Sequence, residues 1–165
     1  MRKIIFDLDL TLVDTTPVEE ARKNRNWDLA YSLIPQCQLY EGMDYVFSII
    51  RQHNLDACIV STSPRTYVEK VLAHFNIPIN KIVAYHDAKP IKPHPAPMQK
   101  ALVLLNCQAK EAISFGDRVI DIQASNAASI ESVACFWGTK ERKDLLASDY
   151  NHAIIKPSEI LTLIR

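Results

Sequence analysis

Ile4-Ile5-Phe6-Asp7-Leu8-Asp9-Leu10-Thr11-Leu12 begins as a strand and ends in polar chemistry. Three apolar residues, two of them β-branched, run into an aspartate, the pattern of a buried parallel strand reaching the carboxyl edge of its sheet. A two-residue step along extended chain returns a side chain to the same face. Asp7 and Asp9 are therefore expected to point into one site, with Leu8 and Leu10 packed elsewhere. Taken alone, the pair also fits a strand that ends in a turn.

Five more short apolar runs follow: 57–60, 82–84, 112–115, 132–136 and 153–155. Between them lie amphipathic patterns predicting helices over 43–53, 64–75, 95–106, 118–128, 140–147 and 157–164. This alternation predicts an α/β fold, a doubly wound parallel sheet with right-handed crossovers and helices on both faces. Residues 1–165 read as one core domain. One stretch breaks the rhythm. From Asp14 to Gly42 there is no strand signal, and Val18, Ala21, Leu29, Leu33 and Ile34 suggest one or two helices interrupted at Pro35. The insert, 15–39, is expected above the carboxyl end of the first strand. Pro90, Pro93, Pro95 and Pro97 predict an extended path before the helix at 95–106.

Composition narrows the function classes. The 165 residues include 48% hydrophobic and 23% charged, enough apolar material for a sizeable core and too much for a disordered chain. Nineteen basic and nineteen acidic residues leave no net charge, so a general nucleic-acid or anionic-membrane footprint is not expected. With only three glycines, Gly-rich phosphate loops are excluded. No apolar run approaches the ~20 residues needed to span a bilayer, and no signal-peptide pattern precedes the first strand. Cys37, Cys58, Cys107 and Cys135 have no metal or C-x-x-C spacing, and Cys58 and Cys135 are expected in the core. A reducing, cytoplasmic location is the expectation.

Polar residues collect where the runs end: Asp7 and Asp9 after the first, Ser61, Thr62 and Ser63 after the second, Lys92 beyond the third, Asp117 and Asp121 after the fourth. In an open α/β sheet these positions face one crevice. Four carboxylates meeting there need a counter-charge. Oxygen ligands without His or Cys favour a hard cation, and Mg2+ is the expected one. Cation, lysine and hydroxyls together make a site for a phosphoryl group.

DLDLTL at 7–12 resembles the first motif of the haloacid dehalogenase-like (HAD) phosphohydrolases. IVSTSP at 59–64 places Ser61 at that family's Ser/Thr position. KPHPAP at 92–97 is similar to its lysine motif, and GDRVID at 116–121 to its acidic fourth motif. LYEGM at 39–43 and CFWGTKER at 135–142 extend the likeness to nearly all of the chain except the insert. The resemblance implies a HAD-like, Rossmannoid fold and a Mg2+-dependent phosphomonoester hydrolase working through an aspartyl-phosphate on Asp7. Asp9 would be the general acid and base. Asp7, the Asp9 backbone carbonyl and Asp117 would hold the metal, with Asp121 supporting it directly or through water. Ser61, with Thr62 beside it where many relatives have Asn, would bind phosphoryl oxygens together with Lys92. Thr11 would bond loop backbone.

Competing readings stand beside these. Ser61, Thr62 or Ser63 could cap the helix beginning near Pro64, Lys89 competes with Lys92, and Asp121 fits an ordinary first-turn carboxylate. None of the five histidines has a metal-ligand spacing, and His94 alone lies near the lysine. A phosphomutase, or a phosphoryl-binding regulatory domain of the same fold without hydrolysis, is the alternative. Acceptor position argues against a receiver-type domain, since the third run offers only Asp87 beyond it. Relatives often carry a cap of sixty residues or more, so the short insert implies a reduced helical cap. It implies an open site for larger substrates, including a phosphorylated protein or a nucleic-acid end, or closure by a second subunit in a homodimer. Arg22, Lys23, Arg25 and Trp27 could meet an anionic substrate, but Glu19, Glu20 and Asp28 balance them. A solvated basic helix face with Trp27 packed on the core is the expectation.

Overall fold

A computed structural model describes residues 1–165. Its six main strands are β1 (Lys3–Phe6), β2 (Ala57–Val60), β3 (Lys81–Val83), β4 (Ala112–Gly116), β5 (Glu131–Cys135) and β6 (His152–Ile154). They form one parallel sheet in the order β3-β2-β1-β4-β5-β6. The six apolar runs are these six strands. The order reverses at β1, where the chain crosses to the other half of the sheet, and crevices open at such switch points.

The helices are α1 (Glu19–Lys23), α2 (Trp27–Leu33), α3 (Met43–Gln52), α4 (Arg65–His74), α5 (Ala96–Leu105), α6 (Val119–Ala127), α7 (Arg142–Leu146) and α8 (Ile160–Leu163). The sheet's period-2 alternation sorts them into layers. Ile4, Phe6, Ile59, Phe115 and Val133 face the apolar stripes of α3, α4 and α8. Ile5, Cys58, Val60 and Val83 face α5 and α6. Leu145 of α7 packs with Ile122, Ala134 and Phe136. Cys58 and Cys135 are fully buried and all four cysteines are free. No helix is long and apolar enough to cross a membrane.

The insert supplies α1 and α2, followed by a 3-10 turn at Ile34–Gln36 that carries Pro35. One feature departs from expectation: Val13–Asp14 and Gln38–Leu39 form a small antiparallel ladder at the base of the insert. Two residues per strand are too few to show a period in the sequence. The proline-rich stretch also differs. It folds as successive turns, with cis bonds at Lys89–Pro90 and Lys92–Pro93, rather than as extended chain.

At the amino end of the sheet, Arg2 reaches Glu131 at 2.5 Å and the Ala112 carbonyl at 3.1 Å, while His152 meets Glu131 at 2.5 Å. The Arg2 hydrogen bond, supported by His152, holds the Glu131 carboxyl at about 2. A depressed folded-state value stabilises the fold above the ordinary carboxylate pKa, and that contribution disappears as pH falls toward 2. Glu131→Gln is expected to cost about 1 kcal/mol at pH 7, given solvent screening of a half-exposed group. The gap from the unsubstituted chain should close between pH 4.5 and pH 2 in urea titrations.

Candidate active site

Asp7 is the first residue beyond β1. Its N–H donates to the Phe115 carbonyl of β4 at 2.9 Å, so the ladder itself carries the aspartate to the sheet edge. The chain then curls: Leu12 N–H donates to the Leu8 carbonyl at 3.0 Å, and Leu10 adopts φ +62°. Asp7 and Asp9 both line a cleft of about 820 Å³ at the carboxyl end of the sheet. Leu8 is buried as expected, but Leu10 lines the cleft, because the left-handed turn rotates it away from the core.

Lys92 sits at the floor, 4% exposed. Its Nζ donates to Asp7 Oδ1 at 3.0 Å, Asp121 Oδ1 at 2.6 Å and the Val60 carbonyl at 3.0 Å, which satisfies all three protons of an ammonium. Burial opposes its charge, but Asp121 and Asp7 outweigh burial and raise its pKa above the ordinary lysine value. Lys89 stays exposed at the mouth, over the Tyr85 ring. Asp121 is clasped on both oxygens, since its Oδ2 accepts from the Arg118 N–H at 3.0 Å. Gly116 makes room for it: a Cβ there would lie 2.3 Å from Asp121 Cβ.

Asp117 is 1% exposed. Its Oδ1 accepts from Thr11 Oγ1 at 2.9 Å, and its Oδ2 is buried without a partner. Thr11 thus bonds a carboxylate through its side chain, while its backbone carbonyl accepts from Trp137 Nε1 at 2.9 Å. Ligand atoms of Asp7, Asp117 and Asp121 all lie within 4.8 Å of one another. Burial raises the Asp7 carboxyl above the ordinary carboxylate range against the pull of Lys92, and burial with the nearby Asp7 raises Asp117 as well. An orphaned oxygen among crowded, buried carboxylates fits a hard cation, whose charge would return these groups to their ionised form.

Asp9 stands apart from that group. Its Oδ1 accepts from Thr15 Oγ1 at 2.7 Å and Tyr67 OH at 2.6 Å and meets Arg22 Nη1 at 3.1 Å. Its Oδ2 accepts only a long bond from Ser63 Oγ, 3.4 Å. Arg22 also donates to Ser63 Oγ at 3.0 Å and lies over the Tyr67 ring, 5.0 Å from its centroid. Its guanidinium is therefore turned inward, contrary to the expected solvated face. Balanced charge along α1 hid this, because composition does not show which way one side chain turns. Tyr67, fully buried on α4, gave no signal beyond the rule that a buried hydroxyl finds a partner. Trp27 packs against Tyr31 and Tyr67, with ring centroids 6.4 Å and 6.1 Å away.

Ser61 is 5% exposed, its Oγ accepting from the Ser63 N–H at 3.0 Å; Thr62 and Ser63 line the cleft above it. His94 accepts from Ala96 N–H at 3.1 Å at the start of α5, and His86 is the histidine on the cleft wall. The 135–142 segment braces the acidic loop: Thr139 Oγ1 donates to the Asp117 carbonyl at 2.6 Å, and Glu141 accepts from Val119 N–H at 3.0 Å. Gly138 permits this approach, since a Cβ there would lie 2.4 Å from the Leu10 carbonyl.

Comparison with known proteins gives concordant matches. A family model described as haloacid dehalogenase-like hydrolase matches residues 23–135. Pyrophosphatase PpaX of Bacillus cereus is 29% identical over 157 residues, covering 92% of this chain and 71% of that relative. Pyrophosphatase PpaX of Bacillus mycoides is 30% identical over 127 residues, covering 76% and 59%. The crystal structure of a hydrolase from Pseudomonas syringae superposes with a TM-score of 0.82 at 19% identity, covering 99% of this chain and 98% of that one. At that identity the likeness speaks to fold alone.

Lys92→Met would leave two buried carboxylates without their cation. The expected loss is about 3–5 kcal/mol at pH 7, the cost of breaking a buried ion pair from one side. Because burial raises the Asp7 pKa, the folded state takes up a proton there before the unfolded chain does. Without the lysine's pull that carboxyl rises further still, so the loss should shrink as pH falls from alkaline values toward neutrality in metal-free denaturant titrations.

Proposed function

The chain belongs to the haloacid dehalogenase-like hydrolase family, and we propose that it is a phosphatase that hydrolyses phosphomonoesters through Asp7. The observation that carries this reading is the buried Lys92 ammonium, shared by Asp7 and Asp121 beside the bare Asp117 oxygen. Lys92 holds Asp7 Oδ1, which leaves Oδ2 to attack phosphorus. The bond from phosphorus to the leaving oxygen breaks as the bond to Asp7 forms, and Asp9 gives that oxygen its proton. Water then attacks the aspartyl-phosphate, Asp9 takes a proton from it, and phosphate leaves as the Asp7 carboxylate is restored.

Three donors on Asp9 Oδ1 direct the exchanged proton to Oδ2, the oxygen with only the long Ser63 contact. Ser61 Oγ accepts from Ser63 N–H and so keeps its own proton for a phosphoryl oxygen, with Thr62 on the wall above. Asp7, the Asp9 carbonyl and Asp117 would hold Mg2+, and Asp121, engaged on both oxygens, supports the group through Lys92 and the loop. When bound, the cation supplies positive charge against the phosphoryl oxygens. The insert 15–39 acts as a reduced cap whose Arg22 reaches the acid-base residue. The pyrophosphatase relatives support phosphoryl hydrolysis as the reaction class.

Phosphate release from phenyl phosphate, with Mg2+ or with chelator, tests the reading. Asp7→Asn should lower kcat by more than about 10³-fold. Asp9→Asn should lower it by about 10²–10⁴-fold, as loss of a general acid does. Mg2+ affinity in the Asp9 variant should stay within a few fold. Turnover that survives Asp7→Asn would remove that residue as the nucleophile.

A further inference from the structure

Six cationic side chains besides Lys92 line the cleft. Three are balanced: Lys140 by Glu19, Arg118 by Glu141 at 3.3 Å and Arg22 by Asp9 at 3.1 Å. Lys23, Arg25 and Lys89 enter none of the chain's ion pairs. In a chain with nineteen basic and nineteen acidic residues, these three are the cleft-lining cations without an ion-pair partner, and all three are exposed.

Arg25 is also an unusual residue for its backbone. Five helices end in the same closure, with one residue at positive φ donating three residues back and its successor donating five back. At four of them the left-handed residue is Asn54, Asn76, Asn106 or Ser129. Asn reaches that conformation readily because its short polar side chain bonds locally. After α1 the same position, at φ +56°, holds Arg25. The closure does not call for a long cation, and the residue that carries one lines the cleft.

We infer that Lys23, Arg25 and Lys89 form a second anion subsite at the cleft mouth. The substrate then carries, on its leaving group, a further negative group, either carboxylate or phosphate, beyond the phosphoryl group taken by Asp7. This rests on the phosphatase reading for the identity of the inner group, but binding tests it without turnover. Non-hydrolysable probes separate the two questions. Phosphonoacetate carries a carboxylate as its second anionic group, methylenediphosphonate a second phosphonate, and ethylphosphonate neither.

Calorimetry in excess Mg2+ should show the intact chain binding at least one of the first two more tightly than ethylphosphonate. The margin should be about tenfold, narrowing as salt rises. Whichever of the two-group probes keeps the advantage identifies the second group. Arg25→Asn and Lys89→Ala should each remove about three- to fivefold of it, as expected for solvent-exposed charge contacts. Arg25→Asn should at the same time raise the melting temperature by about 2–4 °C, by relieving the left-handed backbone. A weaker preference for the second anionic group in a more stable protein cannot come from misfolding. Equal affinity for the three probes, no measurable affinity for phosphonoacetate or methylenediphosphonate, or a preference that both variants retain would overturn the inference.

Discussion

One ammonium group at the bottom of the cleft makes the arrangement of acids around it tolerable. Buried carboxylates repel each other and lose hydration, and either cost alone would push the loops apart. Lys92 answers both for Asp7 and Asp121 and spends its third proton on the Val60 carbonyl. That last bond matters for position, because it fixes the lysine to the end of β2 rather than leaving it on a mobile stem. The acid just beyond β1 and the acid in the first turn of α6 are thus referred to a common point on the sheet. Asp117 receives no such compensation on Oδ2, and the resulting imbalance marks where a cation fits.

Around this centre the chain sets a second cluster that obeys a different rule. Asp9 is held by Thr15, Tyr67, Arg22 and, weakly, Ser63, drawn from the insert and from the segment after β2. The two aspartates are two residues apart, yet one faces lysine and metal-type chemistry while the other faces hydroxyls and a guanidinium. Neighbouring carboxylates acquire distinct roles through such differences of surroundings.

The strands and the main helices were legible because buried parallel strands and amphipathic helices impose periods that local sequence must show. The convergence of Asp7, Lys92, Asp117 and Asp121 followed from topology, since residues after parallel strands share an edge. Other features were not legible for equally physical reasons. The Val13–Asp14 and Gln38–Leu39 ladder is too short to carry a pattern. Leu10 turned outward because a left-handed residue breaks the alternation assumed for it. Arg22 and Tyr67 reach Asp9 through tertiary packing of elements far apart in sequence, a relation that composition along one helix cannot encode.

The position of β1 between β2 and β4 has a consequence for how the protein is made. Asp7 leaves the ribosome before either strand that flanks its own, since one flank is supplied by residues 57–60 and the other by residues 112–116, and its neighbour Asp117 follows them. Until that late segment arrives, β1 has an open edge and the acidic centre is incomplete. Pairings over such sequence distances close slowly and expose nascent chains to aggregation in the meantime. Translation must therefore reach Asp117 before the acidic centre around Asp7 can close.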